Sequence, residues 1–403
     1  MEYHDSEVAT ELAAEARDFM DERVIPTERE YLGDGPVPHD VIEDLRAEAR
    51  ERGIYCPQIG EEHGGGGYEF ADVLPLFEEA GRSLLGASAM RVDAPDEGNM
   101  HTIELVGTEA QKEEFLDPLV AGERVSAFSM TEPREGAGSD PKMMKTTAEK
   151  DGDEWVINGH KWWSTQGAEA DFLIVMARTD MDAHPYNGTS LFLVEADNPG
   201  FEVVEPTPHL GPDVVHSSHA EVRYDDCRIP EDRLLGELNQ GFKHAQQRLG
   251  PARLTHCMRF TGMATRALDI AKTYMDDRHA FDSKLSEKQS QRFDIAEMET
   301  ELHAVRTMVR HAARQISAGE EARIPVSMSK VFAANTTQEA IDLAIQCTGG
   351  AGISRHLPLA DFSESVRMFR IVDGADEVHK RVIARDAFDM DFDEAELENL
   401  PTF

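Results

Sequence analysis

Trp155-Val-Ile-Asn-Gly-His-Lys-Trp-Trp-Ser-Thr165 decides the fold class, because it belongs to a series of short β-rich runs inside a chain that otherwise reads as helical. Phe172-Leu-Ile-Val-Met176, Ser190-Leu-Phe-Leu-Val194 and Phe201-Glu-Val-Val204 continue the series, and Asp151-Gly, Asn158-Gly, Asn187-Gly and Asn198-Pro-Gly supply the turns between them. The pattern predicts a sandwich or barrel over residues 123–240. On the N-terminal side, Val8, Leu12, Ala16, Phe19 and Met20 keep the helical period, with Pro26, Pro36 and Pro38 expected to break residues 1–122 into several helices. On the C-terminal side the period returns after Pro230 and continues through Ala387, with Ile295, Met298, Leu302, Val305 and Val309 on one stripe, as in a helical bundle. The expected architecture is therefore α+β and multi-domain: an α-helical domain (1–122), a β-domain (123–240) and a helical bundle ending in an acidic tail (241–403).

With 403 residues, 40% of them hydrophobic, the chain can bury two or three cores. No run of eighteen apolar residues occurs, and the start Met1-Glu-Tyr-His-Asp-Ser lacks the basic and apolar segments of a signal peptide, so a cytoplasmic location away from membranes is expected. Charge is the unusual property. Asp and Glu total 78 against 40 Lys and Arg, a formal net charge of −38, and only 11 of the 40 cations are lysine. Acids are spread evenly and the apolar fraction is normal, which argues against a disordered acidic chain. A dense acidic, lysine-poor surface suits a salt-rich cell, where screening acts within roughly 3 Å at 1 M, and halophilic adaptation is the expectation. Such a surface repels nucleic acid and anionic lipid.

Cys56, Cys227, Cys257 and Cys347 are too scattered for a disulfide framework or a zinc site. His216-Ser-Ser-His219 is the one close histidine pair, and it has no Glu or Cys companion at ligand spacing, so no metal is expected. Gly136-Ala-Gly-Ser139 is no phosphate loop, since neither a lysine nor a helix pattern follows. Near the end, Ile371-Val-Asp-Gly-Ala-Asp-Glu-Val-His379 sets Asp373 before a glycine, where it is either an ordinary turn residue or a carboxylate aimed into a cleft. Asp376 and Glu377 read as a solvated first helical turn, where acids are favoured.

The company this segment keeps is informative. Gln58-Ile-Gly-Glu-Glu-His-Gly-Gly-Gly-Gly67, Met130-Thr-Glu-Pro133 with Gly136-Ala-Gly-Ser-Asp140, the Trp155–Thr165 run, Arg278-His-Ala-Phe281 and Gln346-Cys-Thr-Gly-Gly-Ala-Gly352 recur at matching distances. Together they resemble the acyl-CoA dehydrogenases, from about Glu7 to Phe388. The resemblance implies the same α, β, α order, with a four-helix C-terminal bundle and a homotetramer (or dimer). It also implies FAD, an acyl-CoA substrate and an electron-transferring flavoprotein as acceptor. In that family a carboxylate removes the α-proton while the β-hydrogen leaves as hydride to flavin N5, and the enolate oxygen is bonded by a ribityl hydroxyl and by the backbone N–H of the catalytic acid.

Carried onto this chain, the base is Asp373, one methylene shorter than the usual Glu. A branch with Asp here also shares features of Gln247-Arg-Leu-Gly-Pro-Ala-Arg-Leu-Thr-His-Cys-Met-Arg259 and Ala94-Pro-Asp-Glu-Gly-Asn-Met100, and some of its members act on 4-hydroxyacyl-CoA derivatives. A second base position used by other branches falls on Ala252, which cannot take a proton. Flavin contacts fall to Phe128, Met130 and Thr131 and, across the ring, Trp163, Ser164 and Thr165; strand alternation predicts that one of Trp162 and Trp163 faces the cofactor. Arg278, Phe281, Gln289, Gln346, Gly349 and Gly350 match contacts made from a neighbouring subunit. Ala375 and Glu377 stand where the family has Thr and Gln beside the adenine half. Ser139, Arg253 and Gly374 match thioester and CoA contacts, Ser139 on a loop two residues longer than usual. The fold also hosts oxidases of small carbon acids that use Asp, such as nitroalkane oxidases, and non-catalytic DNA-binding flavoproteins, which the mixed charges after Gln240 and the acidic tail disfavour.

Overall fold

The computed structural model describes residues 5–33, 35–134, 136–211, 215 and 219–389. His216 and the acids from Asp391 onward therefore lie outside the described residues. The first layer is helical: α1 (Glu7–Phe19), α2 (Ile25–Tyr31), α3 (His39–Glu51), α4 (Phe70–Ala80), the short α5 (Gly86–Ala89), α6 (Asp96–Val106), and the short α7 (Glu109–Gln111) and α8 (Asp117–Ala121). Ser6 caps α1 by accepting a bond from the Ala9 N–H at 3.0 Å. Pro26 does not break this layer as expected. A π-helical turn (Met20–Val24) runs directly into α2, so Pro26 sits at the start of a helical segment, where a missing N–H is tolerated. Pro36 and Pro38 do lie between α2 and α3.

Strands β1 (Ser126–Ser129), β2 (Thr147–Asp151), β3 (Glu154–Thr165), β4 (Phe172–Arg178), β5 (Thr189–Glu195), β6 (Phe201–Pro206), β7 (His219–Pro230) and β8 (Leu234–Leu235) form one sheet in the order β6-β7-β3-β2-β4-β5-β8, with β1 parallel to β4 at its side. Strand β4 is buried at every position. Its Leu173, Val175 and Ala177 enter the core inside the β-domain, while Phe172, Ile174 and Met176 join the core shared with the helices. A strand covered on both faces reads as a continuous apolar run, which is why this segment shows no alternation.

The C-terminal part consists of α9 (Gly241–Asp277), a hairpin of β9 (His279–Ala280) and β10 (Ser283–Lys284), then α10 (Gln289–Ser317), α11 (Arg323–Thr348), α12 (Leu359–Phe369) and α13 (Asp376–Ala387). Met263, Ala267, Leu268, Leu302, Ile341 and Phe362 pack its core. Helix α9 also crosses α4, and close enough that a Cβ on Gly262 would lie 1.8 Å from the Glu78 carbonyl oxygen and one on Gly81 1.9 Å from that of Arg259. Only glycine permits that approach, and it fixes the register of the α9 face that carries Arg248 to Phe260. All four cysteines are buried and unpaired, and no helix among the described residues is long and apolar enough to cross a membrane.

Candidate active site

Asp373 sits in the turn between α12 and α13 with φ +56, a left-handed conformation uncommon for a residue with a Cβ. The turn is held from three elements. The Asp373 carbonyl oxygen accepts from Arg253 Nε (2.8 Å, α9) and lies 3.1 Å from His379 Nε2 (α13), and the Gly374 carbonyl accepts from Lys330 Nζ (2.9 Å, α11). Among the described residues the Asp373 N–H makes no hydrogen bond, which leaves it free for a ligand oxygen. The carboxylate is largely enclosed, its side chain 16% exposed, and its Oδ2 lies 2.9 Å from His256 Nδ1.

Burial pushes this carboxyl upward, but His256, then Arg253 and Arg248, outweigh it and hold it well below the usual carboxylate range. Glu97 on α6, buried beside the same cations, moves the other way: burial raises it against the pull of Arg259, His256 and Arg248. His379 is depressed to about 4, by burial first and the Arg253 charge second.

Asp376 corrects the sequence expectation. It is not solvated but 1% exposed, bonded by Arg370 Nε (2.9 Å) and Asn335 Nδ2 (3.1 Å), with Lys330 Nζ 3.5 Å from its other oxygen. The charge of Lys330 and Arg370 makes a buried acid tolerable there. Glu377, its neighbour, is exposed, and Ala375 caps α13 from an extended conformation.

A second cluster forms where β1 ends beside β3. The Trp162 N–H donates to the Thr131 carbonyl at 2.8 Å, and Lys161 Nζ donates to the Met130 carbonyl, also at 2.8 Å, while pairing with Glu132. Lys161 is fully buried, and burial, opposed by Glu132, brings it down to about 8. Met130 and Thr131 are thus held against Lys161 and Trp162, which precede Trp163, Ser164 and Thr165 on β3. A β-bulge interrupts β3 between Lys161 and Ser164, so strict strand alternation does not run through the two tryptophans. Trp163 takes φ +60 there, is 38% exposed, and its ring lies 5.2 Å from that of Trp162. Ser164 is fully buried with its hydroxyl 3.2 Å from Ser129 Oγ, and Thr165 Oγ1 lies 2.8 Å from His219 Nδ1. Phe128 faces the bundle, with the Arg248 guanidinium 4.2 Å from its ring centre.

The remaining candidates do not join these clusters. Arg278, Gln289, Gln346, Gly349 and Gly350 are exposed positions of the bundle, and Phe281 is 90% exposed at φ +53 on the hairpin tip. Among the described residues no hydrogen bond or ion pair ties them to Asp373 or to β3. Ser139 is exposed on the loop after β1, equally without a bond to Asp373.

Profiles of the acyl-CoA dehydrogenase family match three consecutive stretches of the chain: the N-terminal domain over residues 6–123, the middle domain over 127–227 and the C-terminal domain over 239–388. The chain belongs to the acyl-CoA dehydrogenase family. It is 39% identical to a probable acyl-CoA dehydrogenase, FadE2, of Mycobacterium tuberculosis, covering 96% of both chains. It is 35% identical to acyl-CoA dehydrogenase family member 11 of Gallus gallus over 95% of its own length but only 51% of that protein. A solved putative acyl-CoA dehydrogenase from Mycobacterium abscessus superposes with a TM-score of 0.90 at 37% identity, covering 95% of this chain and 98% of that one. The protein is accordingly an oxidoreductase whose family cofactor is FAD. The residues fit that cofactor: the bulge presents an exposed indole beside two strand ends, and the bundle presents an arginine and open glycines.

Sequence reasoning missed three residues that the structure sets around Asp373: His256, Lys330 and His379. His256 and His379 lay inside quoted motifs. Lys330 lay in none, and its only signal was a lone lysine in an otherwise uncharged stretch of helix.

Proposed function

We propose that the enzyme introduces an α,β double bond into an acyl-CoA thioester, with Asp373 as the base for the α-proton. The observation that carries this reading is the enclosed Asp373 in a strained, triply held turn whose N–H is unbonded. A thioester oxygen at that N–H would place the enolate charge on a preorganised donor of the same residue whose carboxylate takes the proton. Arg253, expected as a substrate contact, supports a different role here, because its Nε holds the main chain of the base. Bound FAD would supply the acceptor for the β-hydrogen. Met130, Thr131, Trp163, Ser164 and Thr165 would hold its ring, Phe128 would lie behind it, and Ala375 and Glu377 would approach its adenine half.

A second copy of the chain completes this reading. Phe281, Phe293, Ile353 and Phe388 are 90%, 63%, 75% and 73% exposed, and contact between copies would cover them. Arg278, Phe281, Gln289, Gln346, Gly349 and Gly350 would then serve a neighbour's FAD in a homotetramer, and Ser139 and Gly374 would contact the CoA thioester. The electrons would pass to an electron-transferring flavoprotein in a salt-rich cytoplasm.

The test is an anaerobic titration at molar salt of the flavin absorbance against short, long, branched and 4-hydroxy acyl-CoAs. Bleaching by one class supports the reading and identifies the substrate. Asp373→Asn should remain folded and yellow without bleaching; retained bleaching would exclude Asp373 as the base, and rapid peroxide formation from a carbon acid would favour an oxidase.

A further inference from the structure

The side chain in closest contact with Asp373 has no role in the reading above. Arg248, Ala252, His256 and Phe260 recur every four residues along α9 and so share the face turned toward the Asp373 turn. The His256 ring packs against the Phe260–Phe369 pair, whose own centres are 4.8 Å apart, with its centre 6.2 and 6.0 Å from theirs and planes inclined by 26° in both cases. This packing fixes the ring and directs Nδ1 at two oxygens. Nδ1 lies 2.8 Å from the Ala252 carbonyl oxygen and 2.9 Å from Asp373 Oδ2. A carbonyl oxygen only accepts, so Nδ1 carries a hydrogen whatever the state of Nε2. That hydrogen is directed at Ala252, and Oδ2 is left enclosed without a directed bond. One donor thus stands between two acceptors.

The geometry points to His256 as a positioning residue that gives its Nδ1–H to Asp373 Oδ2 in the reacting complex, locking the carboxylate so that Oδ1 receives the α-proton. This inference rests on the reading of Asp373 as the base. The surrounding charges do not do the same job. Arg248 and Arg259 on α9, Glu97 on α6, Lys330 on α11 and His379 on α13 all face the cluster, yet Arg253, His379 and Lys330 bond the main chain of the turn and leave the side-chain torsions free. Among the described residues His256 is the side chain that comes within hydrogen-bonding distance of the carboxylate. In the step itself the α-proton moves from the substrate carbon to Oδ1, the carbon keeps the electron pair, and the His256 hydrogen stays on Nδ1.

Asparagine places an amide N–H near the position of Nδ1, glutamine reaches nearer that of Nε2, and leucine offers neither. Flavin bleaching by butyryl-, octanoyl- and palmitoyl-CoA is measured at molar salt for His256→Asn, His256→Gln and His256→Leu beside Asp373→Asn. The leucine and glutamine variants should bleach about ten- to hundredfold more slowly at unchanged KM, the worth of one charge-assisted hydrogen bond, and the asparagine variant should recover most of that loss. Wild-type rates in the leucine variant, or equal losses in all three, would overturn the inference, the second result assigning the ring to packing alone. If the leucine variant does not fold, equal rates for asparagine and glutamine overturn it. Full activity in His256→Leu with a dead Asp373→Asn sinks this inference alone, whereas an active Asp373→Asn, or a wild type bleached by none of the thioesters, sinks the base reading and this inference with it.

Discussion

Gly374→Ala should damage both stability and turnover through one methyl group. Gly374 has φ +98, where a side chain costs about 1–2 kcal/mol. A Cβ built there would also lie 2.9 Å from His379 Nε2, closer than carbon and nitrogen approach without a bond. His379 is 3% exposed and packed, so it moves only by giving up its contact with the Asp373 carbonyl, a further loss of about 1 kcal/mol. The expected destabilisation is roughly 2–4 kcal/mol, measured as the shift of the urea midpoint at fixed molar salt. Because the displaced histidine holds the main chain of the proposed base, flavin bleaching should fall by roughly a hundredfold, the scale of a misplacement of about 1 Å. A cycle with His379→Ala separates the terms. If the clash is real, the two changes together cost about 1 kcal/mol less than their sum, since the second removes the atom the first strikes. Stability within about 0.5 kcal/mol of wild type with unchanged bleaching would refute the placement of His379 over Gly374.

His379 also makes a pH prediction. Its ordinary value of 6.5 falls to about 4 in the folded chain, so between those values the unfolded state binds a proton that the folded state refuses. Stability must then decline as pH drops through this window, by about 3 kcal/mol in total, and His379→Gln should lack that part of the slope in urea titrations at several pH values. Lys330→Met should cost about 3 kcal/mol, the low end for breaking a buried ion pair, because Arg370 and Asn335 still hold Asp376; a neutral result by the same denaturation assay would argue against the pairing. Lowering salt from molar to about 0.1 M should lower the unfolding temperature, since screening of a net charge of −38 weakens, and a temperature independent of salt would remove the halophilic reading.

Much of the fold was legible because burial leaves a periodic trace. Strand β4 reads as an unbroken apolar run since both its faces are covered, and α9 to α11 keep their period over many turns. What was illegible depends on contacts made only in the folded chain. Asp376 looks like any first-turn acid until Lys330 and Arg370 are brought to it, and nothing local to α13 encodes that burial. The bulge at Trp162 and Trp163 was not legible, because alternation presumes an unbroken ladder and a bulge leaves no periodic signature of its own. Asp373, the proposed base, was singled out through its motif, whereas His256 stood inside another motif and gained meaning only when α9 met the turn.

On the proposed reading, Asp373 presents a difficulty that its surroundings also resolve. Cations hold its carboxylate below the usual range, which makes it a weak base, while an α-carbon is a weak acid. A base is judged, however, by the change in the whole cluster and not by its resting state. When Asp373 takes the proton it gives up one negative charge, and an enolate held at the Asp373 N–H would gain one on an oxygen beside the same turn. The negative charge would then be displaced within one positive field and not removed from it, so much of the stabilisation lost at the carboxylate would return at the thioester oxygen. The same field that lowers the basicity of Asp373 lowers the cost of the anion it creates, and this holds only if substrate and carboxylate share the pocket without intervening water, as the enclosure of Asp373 allows.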